Sequence, residues 1–285
     1  MTFSDMSSTN VLTVDVEDWF HILDSPAVPA VEQWAGPESR VVGNVNRLLE
    51  LFAEHSVRAT FCWLGWLAER NPEVVAQCQS AGHEVASHGY AHVLPYQVGQ
   101  AAFREDIRKG KDILEAIIGE PVKGLRVAGF GIRDDIRWVF DEIRAAGYIY
   151  DASVFPAARA HGGIKDSPLE PHTLQTTSGL LGELPASMVD ILGRKVCMFG
   201  GGYLRLFPIA AIRWGIERVH SGGRPLIVYV HPREIDPDHP RLPLSPVRRF
   251  KCYVNLKSTM PKMHWLCKTY RFQPMIELAE QLLRE

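Results

Sequence analysis

Cysteine is scarce in this chain and follows no recognisable pattern. The 285 residues contain five cysteines, an odd number, and no two of them stand in a C-x-x-C arrangement. An odd and unpatterned set argues against a disulfide framework and favours a reducing compartment. The five positions are Cys62, Cys78, Cys197, Cys252 and Cys267.

Long apolar runs and an excess of one charge are also missing. No apolar run approaches the length of about 20 residues that a membrane-spanning helix requires. The net charge is −2 and the isoelectric point is about 6.6, so no strongly basic surface indicates a nucleic-acid partner. The segment from Met1 to Asn10 is polar and lacks the apolar core of a signal peptide. We therefore expect a cytoplasmic protein with no membrane span and no nucleic-acid partner.

The chain does contain enough apolar residues for a large core. Hydrophobic residues make up 46% of it, which suits one large domain or two small ones. Apolar runs of strand character alternate with segments of helical periodicity, a pattern that predicts parallel strands joined by crossover helices. Segments 156–178 and 200–203 are predicted to be a loop and a turn. The predicted strands are 11–16, 57–63, 82–86, 122–127, 148–150, 180–184 and 225–231.

Polar side chains recur where a predicted strand ends. In a (β/α) barrel all such ends lie on one face, which holds the active site, whereas an open doubly wound sheet groups them at a switch point. The barrel explains the convergence of so many ends more easily. With about seven strands, we predict an incomplete or distorted barrel, with residues 1–285 as a single domain. The strand-end residues are Asp15, Thr60, His88, Arg126, Asp151 and His231.

Two histidines, His88 and His92, are four positions apart, a spacing that predicts both on one face of a helical turn. Neutral imidazole is the commonest protein ligand of zinc-like ions, although such a pair also occurs on solvated loops. Three carboxylates, Asp15, Glu17 and Asp18, lie at or just beyond the end of the first strand. Two histidines and one carboxylate make a metal site with open positions for water and substrate.

The remaining strand-end groups complete a set for hydrolysis. A second carboxylate beside the metal can act as a base towards water, and a separate histidine, His231, can protonate a leaving amine. Arg126 and Asp151 are further candidates, although an arginine there can form a simple ion pair and an aspartate can cap a turn. The set predicts the hydrolysis of an amide or an ester.

Five short segments, taken in chain order, carry the most specific signal in the sequence. They resemble the motifs of the NodB-homology polysaccharide deacetylases, carbohydrate esterase family 4. The resemblance is closest to the subfamily of exopolysaccharide and exosortase gene clusters, whose C-terminal extension would run here from about residue 232 to 285. It implies an α/β fold, a distorted (β/α)7 barrel of the polysaccharide deacetylase type. The segments are Leu12–Trp19, Ser87–His92, Leu125–Phe130, Tyr150–Pro156 and Val230–Pro232.

The resemblance also implies roles residue by residue. Asp15 resembles the catalytic base, and Arg126 resembles the arginine that holds it. Both histidines of segment 87–92 resemble metal ligands, for zinc first and for cobalt or nickel as alternatives. Asp151 resembles the acid that orients the general-acid histidine, which is His231. The implied reaction is metal-dependent removal of an N-acetyl group from an amino sugar of a bacterial surface polysaccharide, of exopolysaccharide or O-antigen type, or from its precursor.

Two departures from the family pattern leave choices open. The usual motif has two adjacent aspartates, but a valine follows Asp15, so the metal-binding carboxylate is Glu17 or Asp18. Relatives with an Asp-x-Asp motif favour Glu17, whereas carboxylate length and strand curvature favour Asp18. The arginine motif normally carries a proline where this chain has Ala128 followed by a glycine. A looser loop there is expected to displace Arg126.

Aromatic residues near the motifs are expected to stack on sugar rings, although most aromatics at strand ends belong to the core. The candidates are Trp19, Tyr90 and Phe130, and His21 stands out because it lies just beyond the acid cluster. The expected partner is an N-acylated amino-sugar glycan or its precursor, met in the cytoplasm or at the inner face of the membrane. Two alternatives are a deformylase of a formamido sugar and a catalytically degraded homologue that binds glycan. The sequence predicts no oligomeric state.

Overall fold

The computed structural model describes residues 9–23, 25–159 and 161–284. The prediction that residues 1–10 hold no signal peptide falls mainly on residues 1–8, which lie outside the described residues. The strands are β1 (Asn10–Val16), β2 (Thr60–Trp63), β3 (Glu84–Ser87), β4 (Gly124–Leu125), β5 (Tyr150–Asp151), β6 (His172–Thr176), β7 (Gly179–Glu183), β8 (Met188–Ile191), β9 (Arg194–Cys197) and β10 (Leu226–Val230).

The helices lie mostly between these strands. They are α1 (Val41–Glu54), α2 (Gly65–Arg70), α3 (Pro72–Ser80), α4 (Pro95–Val98), α5 (Gln100–Ile118), α6 (Trp138–Ala145), α7 (Gly201–Leu206), α8 (Ile209–Ser221), α9 (Pro246–Tyr253), α10 (Thr259–Thr269) and α11 (Met275–Leu282). Within the described ranges, no helix is both long enough and apolar enough to cross a membrane.

One eight-stranded sheet organises the molecule, in the order β10-β1-β2-β3-β4-β5-β7-β6. All neighbours are parallel except β6 and β7, so seven strands run in one direction, as the sequence predicted. No hydrogen-bonded ladder joins β10 to β6 among the described residues, so the sheet curls into a half-barrel without closing. The predicted distorted (β/α) barrel is confirmed as this α/β fold.

The first strand shows how the sheet divides the core. Side chains alternate between the two faces of a strand, and every residue of β1 is buried, as expected for a parallel strand covered on both faces. Leu12 and Val14 pack outward in the large core formed with the surrounding helices. Val11 packs inward in a smaller cluster with Met275 and Leu278 of α11. The C-terminal helix therefore fills one end of the half-barrel.

Several elements differ from the sequence prediction. The supposed loop 156–178 contains β6, which pairs antiparallel with β7, and α7 begins within the supposed turn 200–203. The hairpin β8-β9 and helices α2 and α9 were not predicted. These are short elements of four to eight residues, too short to show a periodic pattern. The single domain with an extension from about residue 232 stays a prediction.

Candidate active site

The inward face of β1 supplies the first side chains of the site. Thr13 and Asp15 lie two residues apart and point into the half-barrel, and Glu17 continues the same alternation just beyond the strand. Asp15 is 2% exposed and Glu17 is 4% exposed. Buried carboxylates are unfavourable unless a cation or hydrogen-bond donors face them, so their partners identify the site.

Arg126 neutralises Asp15. Its Nη1 donates to Asp15 Oδ1 at 2.7 Å and to Thr13 Oγ1 at 2.7 Å, and its Nε donates to the Ala152 carbonyl oxygen at 3.0 Å. Burial opposes the guanidinium charge, but Asp15 outweighs it and raises the pKa of Arg126. The expectation that the Ala128 loop displaces this arginine is wrong, because three acceptors hold the guanidinium in place.

The two histidines meet in a loop, not on a helical turn, so that prediction is wrong. His88 follows β3, and Gly89 then adopts a φ of +75° that turns the chain. A Cβ on Gly89 would lie 2.4 Å from Asp106 Oδ2. The Asp106 carboxylate accepts the backbone N–H groups of Tyr90 and Ala91 at 2.9 and 2.8 Å. This anchor on α5 returns the chain so that the second histidine faces the first.

Glu17, His88 and His92 form one buried cluster whose potential ligand atoms all lie within 4.8 Å of one another. Glu17 Oε1 is 3.1 Å from His92 Nε2 and 3.4 Å from His88 Nε2. A tetrahedral zinc ion, about 2.0–2.1 Å from each ligand, separates its ligand atoms by about 3.4 Å. His92 Nε2 is buried and makes no hydrogen bond of acceptable geometry among the described residues. The donor set therefore fits a divalent ion.

The protonation of this cluster also suits metal binding. His88 Nδ1 lies 2.6 Å from the Arg126 carbonyl oxygen, which can only accept, so Nδ1 carries the proton and leaves Nε2 to bind. Burial alone would raise the pKa of Glu17, but the charges of His92 and His231 hold that pKa well below its usual value. Glu17 is therefore an anion at neutral pH.

Asp18 lies apart from the histidine cluster. Its carboxylate accepts the hydroxyl of Ser39 at 2.5 Å and the backbone N–H groups of Trp19 and Arg40 at 2.8 and 3.1 Å. These bonds tie the end of β1 to the residues just before α1. His21 Nδ1 accepts the backbone N–H of Asp18 at 2.9 Å, which orients that ring at the edge of the site. Of the two carboxylates left open by the sequence, only Glu17 faces the histidines.

His231 follows β10 and faces both carboxylates. Its Nε2 is 3.4 Å from Glu17 Oε1 and 4.0 Å from Asp15 Oδ2. Its other nitrogen, Nδ1, is 3.2 Å from Glu234 Oε2, which also accepts the His231 backbone N–H at 3.0 Å. Arg205 of α7 forms a buried ion pair with Glu234. Burial lowers the pKa of His231, against the attraction of Glu17.

Sequence reasoning missed Glu234 and Arg205. The available signal was His231-Pro232-Arg233-Glu234, in which proline starts a short helical turn and a glutamate three residues on returns to the first backbone N–H. Arg205 gave no such signal. It donates to the carbonyl oxygens of Lys251, Cys252 and Val254, far away in the sequence. Burial lowers the pKa of Arg205 to about 10, which leaves it charged at neutral pH.

Asp151 does not contact His231, contrary to the role that the resemblance implied. Its Oδ1 accepts the Ser153 hydroxyl at 2.5 Å, and its carboxylate also interacts with Glu183 of β7. Burial raises the pKa of Asp151, and burial together with the Asp151 charge raises the pKa of Glu183 well above its usual value. Two fully buried carboxyl groups thus lie together beneath the site, where burial and the Asp151 charge favour the protonated form of Glu183. The carboxylate that contacts His231 Nδ1 is that of Glu234.

A cavity of about 590 Å³ opens above these groups, a size typical of small-molecule sites. Phe130 and Tyr203 line it, and Tyr203 is 41% exposed, whereas the stacking of Phe130 on a sugar ring stays a prediction. Trp19 and Tyr90 do not line it. Trp19 donates to the Glu38 carbonyl oxygen, and Lys109 lies over the Tyr90 ring at 3.4 Å, so both rings are held outside the cavity.

Comparisons with known proteins agree with this arrangement. Residues 35–148 match the family model for polysaccharide deacetylase, and residues 152–280 match that for the domain of unknown function DUF3473. Two peptidoglycan-N-acetylglucosamine deacetylases of Bacillus cereus are 29% and 31% identical over 97 and 102 residues, or 34% and 36% of this chain. The aligned parts span 35% and 46% of those relatives, less than half of each.

A crystal structure of a Mycobacterium smegmatis protein described as a polysaccharide deacetylase shares the fold. Its TM-score is 0.63 at 21% identity, over 97% of this chain and 91% of that one. The fold and the site define an α/β protein with a buried cluster of two histidines and a carboxylate at the rim of a curled sheet. The match to the polysaccharide deacetylase model takes in both histidines of the cluster and Arg126, and it agrees with the resemblance of the five sequence segments to the NodB-homology or carbohydrate esterase family 4 proteins.

Proposed function

We propose that this protein is a metal-dependent deacetylase that removes the N-acetyl group from an amino sugar. The observation that carries the proposal is the convergence of an anionic Glu17 with two histidines, beside a carboxylate held by Arg126 and opposite a third histidine. The names of the curated relatives support the same reaction class. The proposed substrate is a surface polysaccharide of exopolysaccharide or O-antigen type, or its precursor.

Glu17, His88 and His92 would hold the divalent ion, which is zinc in our proposal, with cobalt and nickel as alternatives. Such an ion supplies Lewis acidity, which polarises the acyl carbonyl and stabilises the negative charge that develops on its oxygen. The tautomer of His88 and the low pKa of Glu17 keep both groups ready to bind it.

The protein's own groups move the protons. Asp15 Oδ1 is engaged by Arg126, which leaves Oδ2 on the side that faces His231. Oδ2 takes a proton from the attacking water, whose oxygen adds to the acyl carbon. His231 Nε2 gives a proton to the sugar nitrogen as the carbon–nitrogen bond breaks, and acetate and the free amine leave. Glu234 holds Nδ1, so Nε2 stays directed at the reaction space.

Acetate release from N-acetylglucosamine oligosaccharides tests the proposal, with the protein reloaded separately with zinc, cobalt and nickel. Asp15→Asn should lower kcat by about 10²-fold or more, because the base is lost while the fold is kept. Asp112→Asn on the exposed face of α5 is the matched control. Formate release from a formamido sugar would favour the deformylase. Metal binding without turnover of any acyl sugar would refute the proposal and favour the degraded homologue.

We also propose a cytoplasmic setting and membership of the exopolysaccharide and exosortase subfamily. All five cysteines are free thiols, four of them buried, which supports a reducing compartment. The match of residues 152–280 to DUF3473 begins well before residue 232, so the segment beyond the deacetylase match is longer than the predicted extension. Action on a lipid- or nucleotide-linked precursor at the inner face of the membrane fits this setting.

A further inference from the structure

The charges that line the cavity do not balance. Asp15 and Glu234 are each paired with a buried arginine, Arg126 and Arg205. Glu17 belongs to the metal-binding cluster. The remaining charged groups of the lining are all cations, and none has a carboxylate within 4.0 Å among the described residues except for a 3.8 Å approach of Arg233 to Glu17. These cations are Arg159, Arg233, Arg248 and Lys251.

Three of these arginines present buried nitrogens without an acceptor. Arg159 Nη1, Arg233 Nε and Arg248 Nε are all inaccessible to solvent and make no hydrogen bond within the described part of the chain. A buried donor that lacks an acceptor is unfavourable, and more so when it is charged. These nitrogens are closed off from the cavity, but the three arginines that carry them line it. A bound anion would therefore be held by the other guanidinium nitrogens of these side chains.

Among the described residues, the contacts that hold these arginines in place supply no carboxylate apart from the 3.8 Å approach of Arg233 to Glu17. The Arg159 guanidinium lies over the Phe155 ring, 4.3 Å from its centroid. Arg248 Nη1 is 3.4 Å from His161 Nε2, and Arg233 lies in the turn directly after His231 with its side chain 12% exposed. Aromatic and imidazole contacts orient a guanidinium without removing its positive charge. The three side chains thus form a cationic wall beside the reaction space.

We propose that this cationic wall, defined by Arg159, Arg233 and Arg248, is a subsite for an anionic group of the glycan substrate. Planar guanidinium groups match carboxylate and phosphate oxygens in geometry as well as charge. The anion is therefore a uronate carboxylate or a phosphate, carried on the sugar that is deacetylated or on its neighbour. The inference rests on the proposed function, and it names the class of substrate: acidic glycans or phosphate-linked sugars.

Three substrates test the inference: a neutral N-acetylglucosamine oligosaccharide, an N-acetylhexosamine–uronate oligosaccharide and a nucleoside-diphosphate N-acetylhexosamine. We expect one anionic substrate to exceed the neutral one at least about 10-fold in kcat/KM, as for a charge-assisted contact, and high salt to reduce the advantage. Arg248→Gln and Arg159→Gln should remove most of this ratio, whereas the neighbouring exposed Arg249→Gln should keep it. The preferred anionic substrate then identifies the carboxylate or the phosphate as the natural group.

Binding to Asp15→Asn separates this inference from the proposed function. Calorimetry should show that the preferred anionic oligosaccharide binds Asp15→Asn, and binds about 10-fold more weakly once Arg248→Gln is added. Binding that depends on Arg248 without acetate release from any substrate by the native chain would overturn the deacetylase and leave the subsite. Acetate release with equal kcat/KM for neutral and anionic substrates, unchanged in Arg248→Gln, would overturn the subsite and leave the deacetylase.

Discussion

Glu234→Gln is the sharpest test of how the site works. The two carboxylate oxygens of Glu234 have separate tasks, since one pairs with Arg205 and the other accepts from Nδ1 and the backbone N–H of His231. Glutamine has one acceptor oxygen. Arg205 is 2% exposed and cannot reach water, so we expect that oxygen to face the arginine and the amide NH2 to face His231. The amide NH2 and the Nδ1–H of His231 are then two donors that face each other, and this disfavours the imidazolium that protonates the leaving amine.

The expected loss follows from the value of general acid catalysis. Such catalysis contributes about 10²–10⁴-fold, so kcat for acetate release from an N-acetyl sugar should fall by that factor, or about 2.7–5.4 kcal/mol in the barrier. KM should change little, because Glu234 is only 2% exposed and both of its oxygens are engaged by Arg205 and His231. The kcat for an aryl acetate should fall much less, because its phenolate leaves without protonation. Parallel kcat and KM measurements on the amide and the aryl ester therefore provide the assay.

Two further variants make the assay decisive. Asp236→Asn removes another buried carboxylate of the same turn, one that pairs with Arg40 at 2.5 Å, and should leave the ratio of the two rates near wild type. Asp151→Asn should not produce the leaving-group signature either, since Asp151 does not contact His231. Equal losses on amide and ester in Glu234→Gln, or an unchanged amide rate, would refute the positioning role.

Three other changes probe metal binding, pH dependence and packing. Glu17→Gln should reduce zinc, measured by elemental analysis, well below about one ion per chain, whereas Asp18→Asn should retain it, because only Glu17 faces the histidines. Between pH 6.5 and pH 4, the free energy of unfolding should fall by up to about 3 kcal/mol less in His83→Asn than in the native chain, since burial lowers the pKa of His83 to about 4. Gly124→Ala should destabilise the fold by about 1–3 kcal/mol in urea, because its Cβ would lie 2.0 Å from a buried tyrosine ring.

Each of these has an internal check. Equal metal loss in both carboxylate variants would contradict the choice of Glu17. Because the pKa of His83 is lower in the folded state than in the unfolded state, its contribution to stability is complete above pH 6.5 and is lost as the pH falls. An unchanged slope of unfolding free energy against pH in His83→Asn would therefore contradict the burial argument. The control for packing is Gly43→Ala on α1, whose Cβ would meet nothing within 4 Å and should stabilise by up to about 1 kcal/mol.

The parts of the fold that the sequence predicted are those with a local physical signal. The strand that carries Asp15 and the strand that ends at His231 are buried apolar runs closed by a polar residue, and both were predicted nearly to the residue. Strand β4 has only two residues, and its place in the sheet depends on pairing with β3 and β5. Such pairing is a property of the whole sheet, so the predicted strand 122–127 was too long.

The site shows the same division. Residues two apart on a strand share a face, so the alternation of side chains along β1 is enough to assign Asp15 and Glu17 to one side of it. The partner of His231 could not be assigned by the family pattern, because Asp151 is turned towards Ser153 while a glutamate in the following turn lies closer. Long-range contacts such as that between Arg205 and Glu234 leave no trace in local composition.

The order of the strands has a consequence for how the protein is made. Val14 of β1 pairs on one side with Phe61 and on the other with Val230. At a synthesis rate of about 5–20 residues per second, Val230 leaves the ribosome roughly 10–40 s after Val14. Until then the backbone groups along one edge of β1 have no partner strand, and such an unpaired edge can pair wrongly with another chain. A protein cut between residues 148 and 152, where the two family matches meet, would keep that edge exposed for good. Neither stretch can complete the sheet alone, so the hydrolytic groups come together only after β10 has been synthesised.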